Sequence, residues 1–202
     1  VGLVDVSTPN DVHLEPALAM LEARKHVACE KPLAGTLADA RTMAEAAKKA
    51  AKKGVKSFVW FNYRRCPAVA LAHQLMREGV LGRIYHVRAH YLQSWGGPDT
   101  SLSWRFQKKL AGSGAHGDLN AHVVDMARFL VGEELTDIHG AIERTFITER
   151  SIPGTNKLGK SDVDDCVLFL ASFAGGATAS FEATRLAHGH QNDNGIEING
   201  EK

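Results

Sequence analysis

Short apolar runs alternate with amphipathic stretches over the first third of the chain. Residues 1–7, 26–30 and 56–63 are mostly apolar and end near turn signals, which predicts three strands. Residues 13–25 and 36–53 carry apolar positions at helical spacing, and Thr36 with Asp39 forms a variant capping box. The order strand, helix, strand, helix, strand predicts parallel βαβ units in an α/β domain over residues 1–65.

The pattern changes in the remainder of the chain. A helix over 68–78 precedes a long alternating strand at 83–93, and a second helix is predicted over 118–131. Strands then dominate, at 138–148, 165–173, 177–184 and 195–199, with Gly175-Gly176 as a hairpin signal. Residues 66–202 are therefore expected to form an α+β domain with an open, mainly antiparallel sheet. Both ends of the sequence interrupt a sheet pattern, so we expect a fragment of a longer protein.

Composition narrows the possible functions. Hydrophobic residues make up 44% and charged residues 23%, as in ordinary globular proteins. Lys plus Arg is 24 and Asp plus Glu is 23, so the net charge of +1 gives no electrostatic footprint for nucleic acid or an anionic membrane. No signal peptide or bilayer-spanning stretch is expected. Three widely spaced cysteines predict reduced thiols in a cytoplasmic protein.

Two groups of polar residues follow predicted parallel strands, where ligands of open α/β sheets bind. The first is Ser7-Thr8-Pro9-Asn10 with His13, which could meet a phosphate or ribose, or could be an ordinary turn and helix cap. The second is Glu30-Lys31-Pro32. Lys31 could donate to a substrate oxygen or act as acid or base, or it could be a surface lysine.

Two further groups lie in the second half. Asp118 and His122 are four residues apart, so a helix would place a carboxylate beside an imidazole as a proton-handling pair; a capping Asp and a packed His are the alternative. Trp104-Arg105 could clamp a flat or polar ligand, or could simply pack. No spacing of His, Cys, Asp or Glu matches a metal signature, so no metal is expected.

Taken in order, these motifs resemble the Gfo/Idh/MocA family of NAD(P)-dependent sugar and polyol oxidoreductases. The resemblance covers almost the whole chain. It is carried by Asp-Val-Ser-Thr-Pro-Asn-Asp-Val-His at 5–13, Glu-Lys-Pro at 30–32, Asn-Tyr-Arg-Arg at 62–65, Glu-Gly-Val-Leu-Gly at 78–82, Tyr-Leu-Gln-Ser-Trp at 91–95, Ser-Trp-Arg-Phe at 103–106 and Gly-Ser-Gly-Ala-His-Gly-Asp at 112–118. The resemblance implies that residues 1–65 are the later portion of a Rossmann domain. The family's Gly-x-Gly-x-x-Gly turn does not occur in this sequence, so the choice between NAD and NADP cannot be read.

The resemblance also assigns roles. It implies that Lys31, Asp118 and His122 are catalytic: His122 as general base on the substrate hydroxyl, Asp118 orienting His122, and Lys31 stabilising the oxygen. In other branches of the family the lysine transfers the proton. The implied contacts to NAD or NADP are Ser7, Thr8, Pro9, Asn10, His13, Glu30, Lys31, Pro32, Asn62, Trp104 and Arg105.

The expected function is hydride transfer between nicotinamide and a hydroxyl-bearing carbon of a sugar, inositol or related polyol. A dinucleotide-binding, sugar-responsive regulator without turnover is the alternative, and a small-molecule binding domain without redox chemistry is a third. Apolar residues on both faces of the strand at 165–173 predict a homodimer or homotetramer joined through the C-terminal sheet.

Overall fold

In a computed structural model that describes residues 1–202, the first half contains a three-stranded sheet. Its strands are β1 (Leu3–Val6), β2 (His26–Cys29) and β3 (Ser57–Val59), in the order β1-β2-β3. Both pairings are parallel, which confirms the prediction from the βαβ pattern. Since parallel strands point the same way, the loops that follow β1 and β2 lie at one edge of the sheet.

Two helices pack against this sheet, α1 (Leu14–Glu22) and α2 (Leu37–Ala51). The predicted capping box is present at the start of α2: the Thr36 hydroxyl accepts from the Asp39 backbone N–H at 3.1 Å and donates to the Asp39 carboxylate at 2.7 Å. Val6, Val27 and Met43 belong to a separate small core under these helices.

The second half is built on a five-stranded sheet with helices packed against one face. The helices on that face are α3 (Pro67–Arg77) and α5 (Ala121–Val131), and a short helix, α4 (Lys108–Ala111), lies against the loop after β1. The strands of the sheet are β4 (Ile84–Leu92), β5 (Leu135–Arg144), β8 (Cys166–Phe173), β9 (Thr178–Thr184) and β10 (Asp193–Gly200), and β6 (Glu149–Ser151) pairs with β7 (Leu158–Lys160) as a separate hairpin.

The strand order in the large sheet is β10-β4-β9-β8-β5. Three of its pairings are antiparallel and one, β4 with β9, is parallel, as a mainly antiparallel sheet requires. The predicted hairpin at Gly175-Gly176 joins β8 to β9, and Gly176 adopts a φ of +89° there. No tight turn links β4 to β9, so their relative direction could not be read from a hairpin signal.

The two faces of the large sheet differ in what covers them. The inner face buries Val87, Phe169 and Phe181 against Val123 and Met126 of α5. The outer face leaves apolar side chains exposed, with Leu170 at 56% and Ile142 at 53%. The apolar alternation of the strand at 165–173 therefore gives one packed face and one face without a cover within this chain.

Three predicted elements differ from the observed ones. The strand expected over 56–63 spans only Ser57–Val59, and residues Asn62–Arg65 form a 3-10 turn instead. The helix expected over 118–131 begins instead with a π-turn, His116–Asn120, before α5. The strand expected over 138–148 ends at Arg144, because the backbone N–H groups of Phe146 and Ile147 donate to the Asp165 carboxylate instead of to a sheet. None of the helices is long and apolar enough to cross a membrane.

Candidate functional site

A cleft of about 300 Å³ opens at the edge of the parallel sheet where β1 and β2 end. Its lining residues are Ser7, Thr8, Pro9, Asn10, Glu30, Lys31, Pro32, Trp104, Arg105, Ala111, Ser113, Asp118 and Arg185. The structure therefore brings together ten residues that the sequence singled out, from both halves of the chain.

The wall contributed by the second half is fixed by close backbone packing. The Asp164 carboxylate accepts the N–H groups of Gly114 and His116, both at 2.6 Å. A side chain at Gly114 would overlap the backbone of Asp164. On the opposite wall, the Asn10 amide donates to the Ala111 carbonyl at 2.9 Å, which ties the loop after β1 to the second half.

Lys31 and Asp118 meet inside this cleft. The Lys31 Nζ donates to the Asp118 Oδ1 at 2.9 Å and to the Asp118 carbonyl at 2.9 Å. Their side chains are only 16% and 25% exposed, so solvent screens the pair weakly. The ammonium is thus held in the cleft with a hydrogen remaining for a ligand.

A buried arginine that sequence reasoning missed completes the charge cluster. Arg185 lies directly after β9 and is 1% exposed, and its Nη2 donates to the Asp118 Oδ2 at 3.0 Å. Burial raises the pKa of the Asp118 carboxyl, but Lys31 and Arg185 together lower it below its ordinary value. The sequence did contain a feature that could have identified Arg185 as a site residue: like Lys31, it is a basic residue that follows the end of a predicted strand.

His122 lies one turn beyond Asp118 and is 8% exposed. Its ring contacts the edge of Tyr63 with centroids 4.9 Å apart, and its Nδ1 is buried without a hydrogen-bond partner in the chain. Burial and the Lys31 charge lower the pKa of His122 to about 4, while Asp118 opposes the shift. The imidazole is therefore neutral at pH 7 and able to accept a proton.

The expected hydrogen-bonded pair of Asp118 and His122 is wrong in this structure. Both Asp118 carboxylate oxygens are occupied, one by Lys31 and one by Arg185, and neither bonds to His122. The prediction assumed regular α-helical spacing, whereas Asp118 lies in the π-turn and His122 in α5.

Two of the expected cofactor contacts do not line the cleft. His13 is completely buried, and its ring nitrogens lie 2.8 Å from the Thr8 carbonyl and 3.3 Å from the Leu33 carbonyl. His13 therefore links the loop after β1 to the loop after β2 without lining the cleft. The expected direct contact between His13 and the cofactor is wrong in this structure. Asn62 is exposed at the start of a 3-10 turn after β3, outside the lining.

Next to His122, tyrosine hydroxyls and amides form a network on the inner face of the sheet. The Tyr63 and Tyr91 hydroxyls lie 2.5 Å apart, and Tyr91 also donates to the Asn192 Oδ1 at 2.6 Å. Burial and the Tyr63 hydrogen bond raise the pKa of Tyr91, so the Tyr91 hydroxyl stays neutral. Neither Tyr63 nor Asn192 was predicted as a site residue.

The position of Tyr63 depends on an ion pair behind it. The Arg64 guanidinium donates to both oxygens of Asp125, at 2.7 and 2.5 Å, and fixes the 3-10 turn against α5. This forked pair occupies both oxygens of the Asp125 carboxylate. No group of three or more potential metal-ligating side chains comes together in the structure.

Trp104 and Arg105 form the remaining wall. The Arg105 guanidinium lies 4.5 Å from the centre of the Trp104 ring, within the range of a cation–π contact. Both residues line the cleft, so an aromatic surface and a positive charge are presented to whatever enters it.

Comparison with protein families gives two matches that together cover most of the chain. Residues 69–202 match the GFO/IDH/MocA C-terminal domain, and residues 1–58 match the oxidoreductase family domain with the NAD-binding Rossmann fold.

Individual relatives agree with these matches. The levoglucosan dehydrogenase of Pseudarthrobacter phenanthrenivorans is 46% identical and covers 99% of this chain and 53% of that protein. An oxidoreductase domain protein from Kribbella flavida superimposes with a TM-score of 0.96 at 52% identity, covering 100% of this chain and 53% of the other. A levoglucosan dehydrogenase in complex with NADH and levoglucosan superimposes with a TM-score of 0.92 at 49% identity, covering 99% and 52%. The chain therefore spans about half the length of these relatives.

Proposed function

The chain belongs to the Gfo/Idh/MocA oxidoreductase family, and from that premise we propose that the full-length protein is an NAD-dependent dehydrogenase of sugars or polyols. The reaction would move a hydride from a hydroxyl-bearing ring carbon to nicotinamide. The observation that carries the proposal is a lysine ammonium paired with a carboxylate inside the cleft. A neutral histidine lies behind the cleft lining, near enough for both charges to act on its pKa.

The cleft suits the nicotinamide end of the cofactor. Its floor lies at the carboxyl ends of two parallel strands, with the loop Ser7-Thr8-Pro9-Asn10 on one side. One Glu30 oxygen accepts from the Lys31 backbone N–H at 3.0 Å, and the other makes no hydrogen bond in the chain, so it can accept from a ribose hydroxyl. When bound, NAD supplies the hydride acceptor. We propose that residues 1–65 hold this end of the cofactor and that 66–202 hold the substrate.

Each polar side chain of the site has a role in this proposal. Lys31 donates a hydrogen bond to the reacting oxygen and stabilises the negative charge that develops there. His122 takes the hydroxyl proton, because it is the neutral imidazole of the site. Asp118 holds the Lys31 ammonium in place instead of orienting the histidine.

We propose a cyclic sugar or anhydrosugar as the first substrate class to test. Tyr91, Gln93 and Asn192 present hydroxyl and amide groups near His122, which suits a ligand with several hydroxyls. The similarity to a levoglucosan dehydrogenase supports the same class.

The experiment is NADH formation by the full-length protein with NAD⁺ and a panel of anhydrosugars, free sugars and inositols. Turnover that is lost in Lys31→Met and His122→Gln but kept in the surface variant Arg77→Met supports the proposal. Binding of NAD⁺ and a sugar without NADH formation would instead identify a sugar-responsive regulator.

We further propose a cytoplasmic homo-oligomer joined through the outer face of the large sheet. The outer face combines exposed Leu170 and Ile142 with the ion pair of Arg88 and Glu197 at 3.5 Å. An apolar surface beside charges of both signs can meet a second copy of itself across a two-fold axis. The three cysteines are unpaired, which suits a reducing compartment.

A further inference from the structure

We infer that Arg185 is a positioning residue that holds the Asp118 carboxylate on Lys31 and away from His122. The inference rests on the proposed function and extends it, because it assigns the geometry of the lysine–carboxylate pair to a residue outside the expected catalytic set. Arg185 also lines the cleft, but the role inferred for it is exerted through its contact with the Asp118 carboxylate.

The guanidinium of Arg185 contacts the Asp118 carboxylate and two backbone carbonyls. Its Nη2 donates to the Asp118 Oδ2 and to the Gly114 carbonyl, both at 3.0 Å, and Nη1 lies 3.4 Å from the Arg105 carbonyl. Gly114 precedes the π-turn and Asp118 lies within it. Arg185 therefore fixes the backbone that carries Asp118 as well as the carboxylate itself.

Aromatic rings hold the arginine in this position. The guanidinium lies 5.0 Å from the centre of the Trp95 ring and 5.8 Å from that of Phe106. The Gly96 N–H donates to the Arg185 carbonyl at 3.0 Å, and a side chain at Gly96 would press against the Arg185 stem. A side chain enclosed on these sides has little freedom to follow Asp118 if the carboxylate turns.

Asp118 is consequently held between two cations that arrive from opposite halves of the chain. Lys31 follows β2 and takes Oδ1, whereas Arg185 follows β9 and takes Oδ2. If Arg185 were absent, Oδ2 would be free to turn toward the His122 Nδ1, which has no partner. A carboxylate bonded to that nitrogen stabilises the protonated ring, so the neutral base would be lost.

The electrostatics point to the same role. Four ionisable groups act on Asp118 or are acted on by it: Lys31, Arg185, His122 and Tyr91. Two of them are cations and the other two are neutral at pH 7. Asp164 and Arg105, which also act on Arg185, carry opposite charges that cancel, so the cluster of Lys31, Asp118 and Arg185 keeps one net positive charge. A net positive charge beside the cleft favours an anionic oxygen on the substrate and disfavours a protonated His122.

Packing alone does not explain a buried arginine here. The Arg185 Nε is buried without a partner in the chain, and a second buried arginine, Arg150, lies against the same Phe106 ring at 3.7 Å. Apolar residues of similar volume often replace buried charges without loss of stability. The unpaired Arg185 Nε–H and the neighbouring charge of Arg150 both cost stability. We therefore attribute the buried arginine to its effect on the site and not to packing.

The test compares full-length wild type with Arg185→Met, which removes the charge, and Arg185→Lys, which keeps it. Arg77→Met, an exposed arginine on α3, is the matched control. The first readout is the carboxyl titration of Asp118 followed by NMR without substrate and assigned with Asp118→Asn. We expect the midpoint to rise by at least about one pH unit in Arg185→Met, and to return toward wild type in Arg185→Lys.

The second readout is the pH profile of kcat/KM with NAD⁺ and the best sugar. We expect kcat to fall about 100-fold in Arg185→Met, with the acid limb moved to higher pH and partial recovery in Arg185→Lys. The positioning role would be overturned if the Asp118 titration midpoint is unchanged in Arg185→Met, the melting temperature falls, and kcat/KM falls by the same factor at every pH. A wild type without turnover would refute the proposed function, and the Asp118 titration would still decide the role of Arg185.

Discussion

The buried, neutral state of His122 makes a prediction about stability that needs no substrate. In the folded chain the pKa of His122 falls from its ordinary value of 6.5 to about 4, because burial and the Lys31 charge oppose the protonated ring. An unfolded chain binds a proton at this histidine below pH 6.5 and the folded chain does not. Stability must therefore fall as the pH drops from 6.5 toward 4.

The size of the effect follows from the shift. One pKa unit corresponds to about 1.4 kcal/mol, so the lowered pKa of His122 should remove about 3 kcal/mol of unfolding free energy between pH 7 and pH 4. The side chain is 8% exposed, so solvent screening reduces the effect only slightly. Other groups also titrate in this range, and a variant must separate their contribution.

Urea unfolding at pH 7, 5.5 and 4.5 checks the prediction in wild type, His122→Gln and His188→Gln. His188 is exposed and serves as the control. His122→Gln should flatten the decline of stability at low pH by about 2–3 kcal/mol, whereas His188→Gln should follow wild type. Parallel curves for wild type and His122→Gln would mean that folding does not lower the pKa of His122, and the claim that burial and Lys31 hold the ring neutral would have to be abandoned.

Three further predictions concern other parts of the chain. Lys31→Met should lower kcat by about 100-fold or more, while the variant stays folded at the assay temperature because Asp118 keeps its hydrogen bond from Arg185; a folded variant with wild-type kcat would contradict this. Gly114→Ala should lower the unfolding free energy by at least about 2 kcal/mol, since the new methyl group meets the Asp164 backbone; thermal melting at the wild-type value would refute this. Leu170→Asp should give a smaller species by light scattering of the full-length protein, and an unchanged mass would exclude the outer sheet face as the interface.

The sequence predicted correctly those helices and strands that depend on neighbouring residues or on the order of elements. The capping box of Thr36 and Asp39 and the parallel order of β1, β2 and β3 are confirmed, because each depends on neighbouring residues or on element order. The mainly antiparallel second sheet is confirmed for the same reason. The boundary between residues 65 and 66 stays a prediction.

The details of the site could not be predicted in the same way. Arg185 meets Asp118 across 67 residues of sequence, and only the end of β9 beside the π-turn brings them together. The π-turn itself has no sequence signal, so helical spacing wrongly paired Asp118 with His122. Histidine is a residue type that often contacts ligands, but the His13 ring nitrogens contact the backbone carbonyls of Thr8 and Leu33. Backbone contacts of this kind cannot be read from a sequence.

The claim that this cleft transfers a hydride is tested most directly by following the hydrogen itself. Full-length protein is incubated with NAD⁺ and a sugar deuterated at each ring carbon, and the reduced cofactor is analysed by mass spectrometry. The proposal predicts one deuterium in each reduced cofactor formed, a slower rate with the deuterated sugar, and no product with Lys31→Met. Tight binding of both ligands with an unlabelled, unreduced cofactor would contradict it.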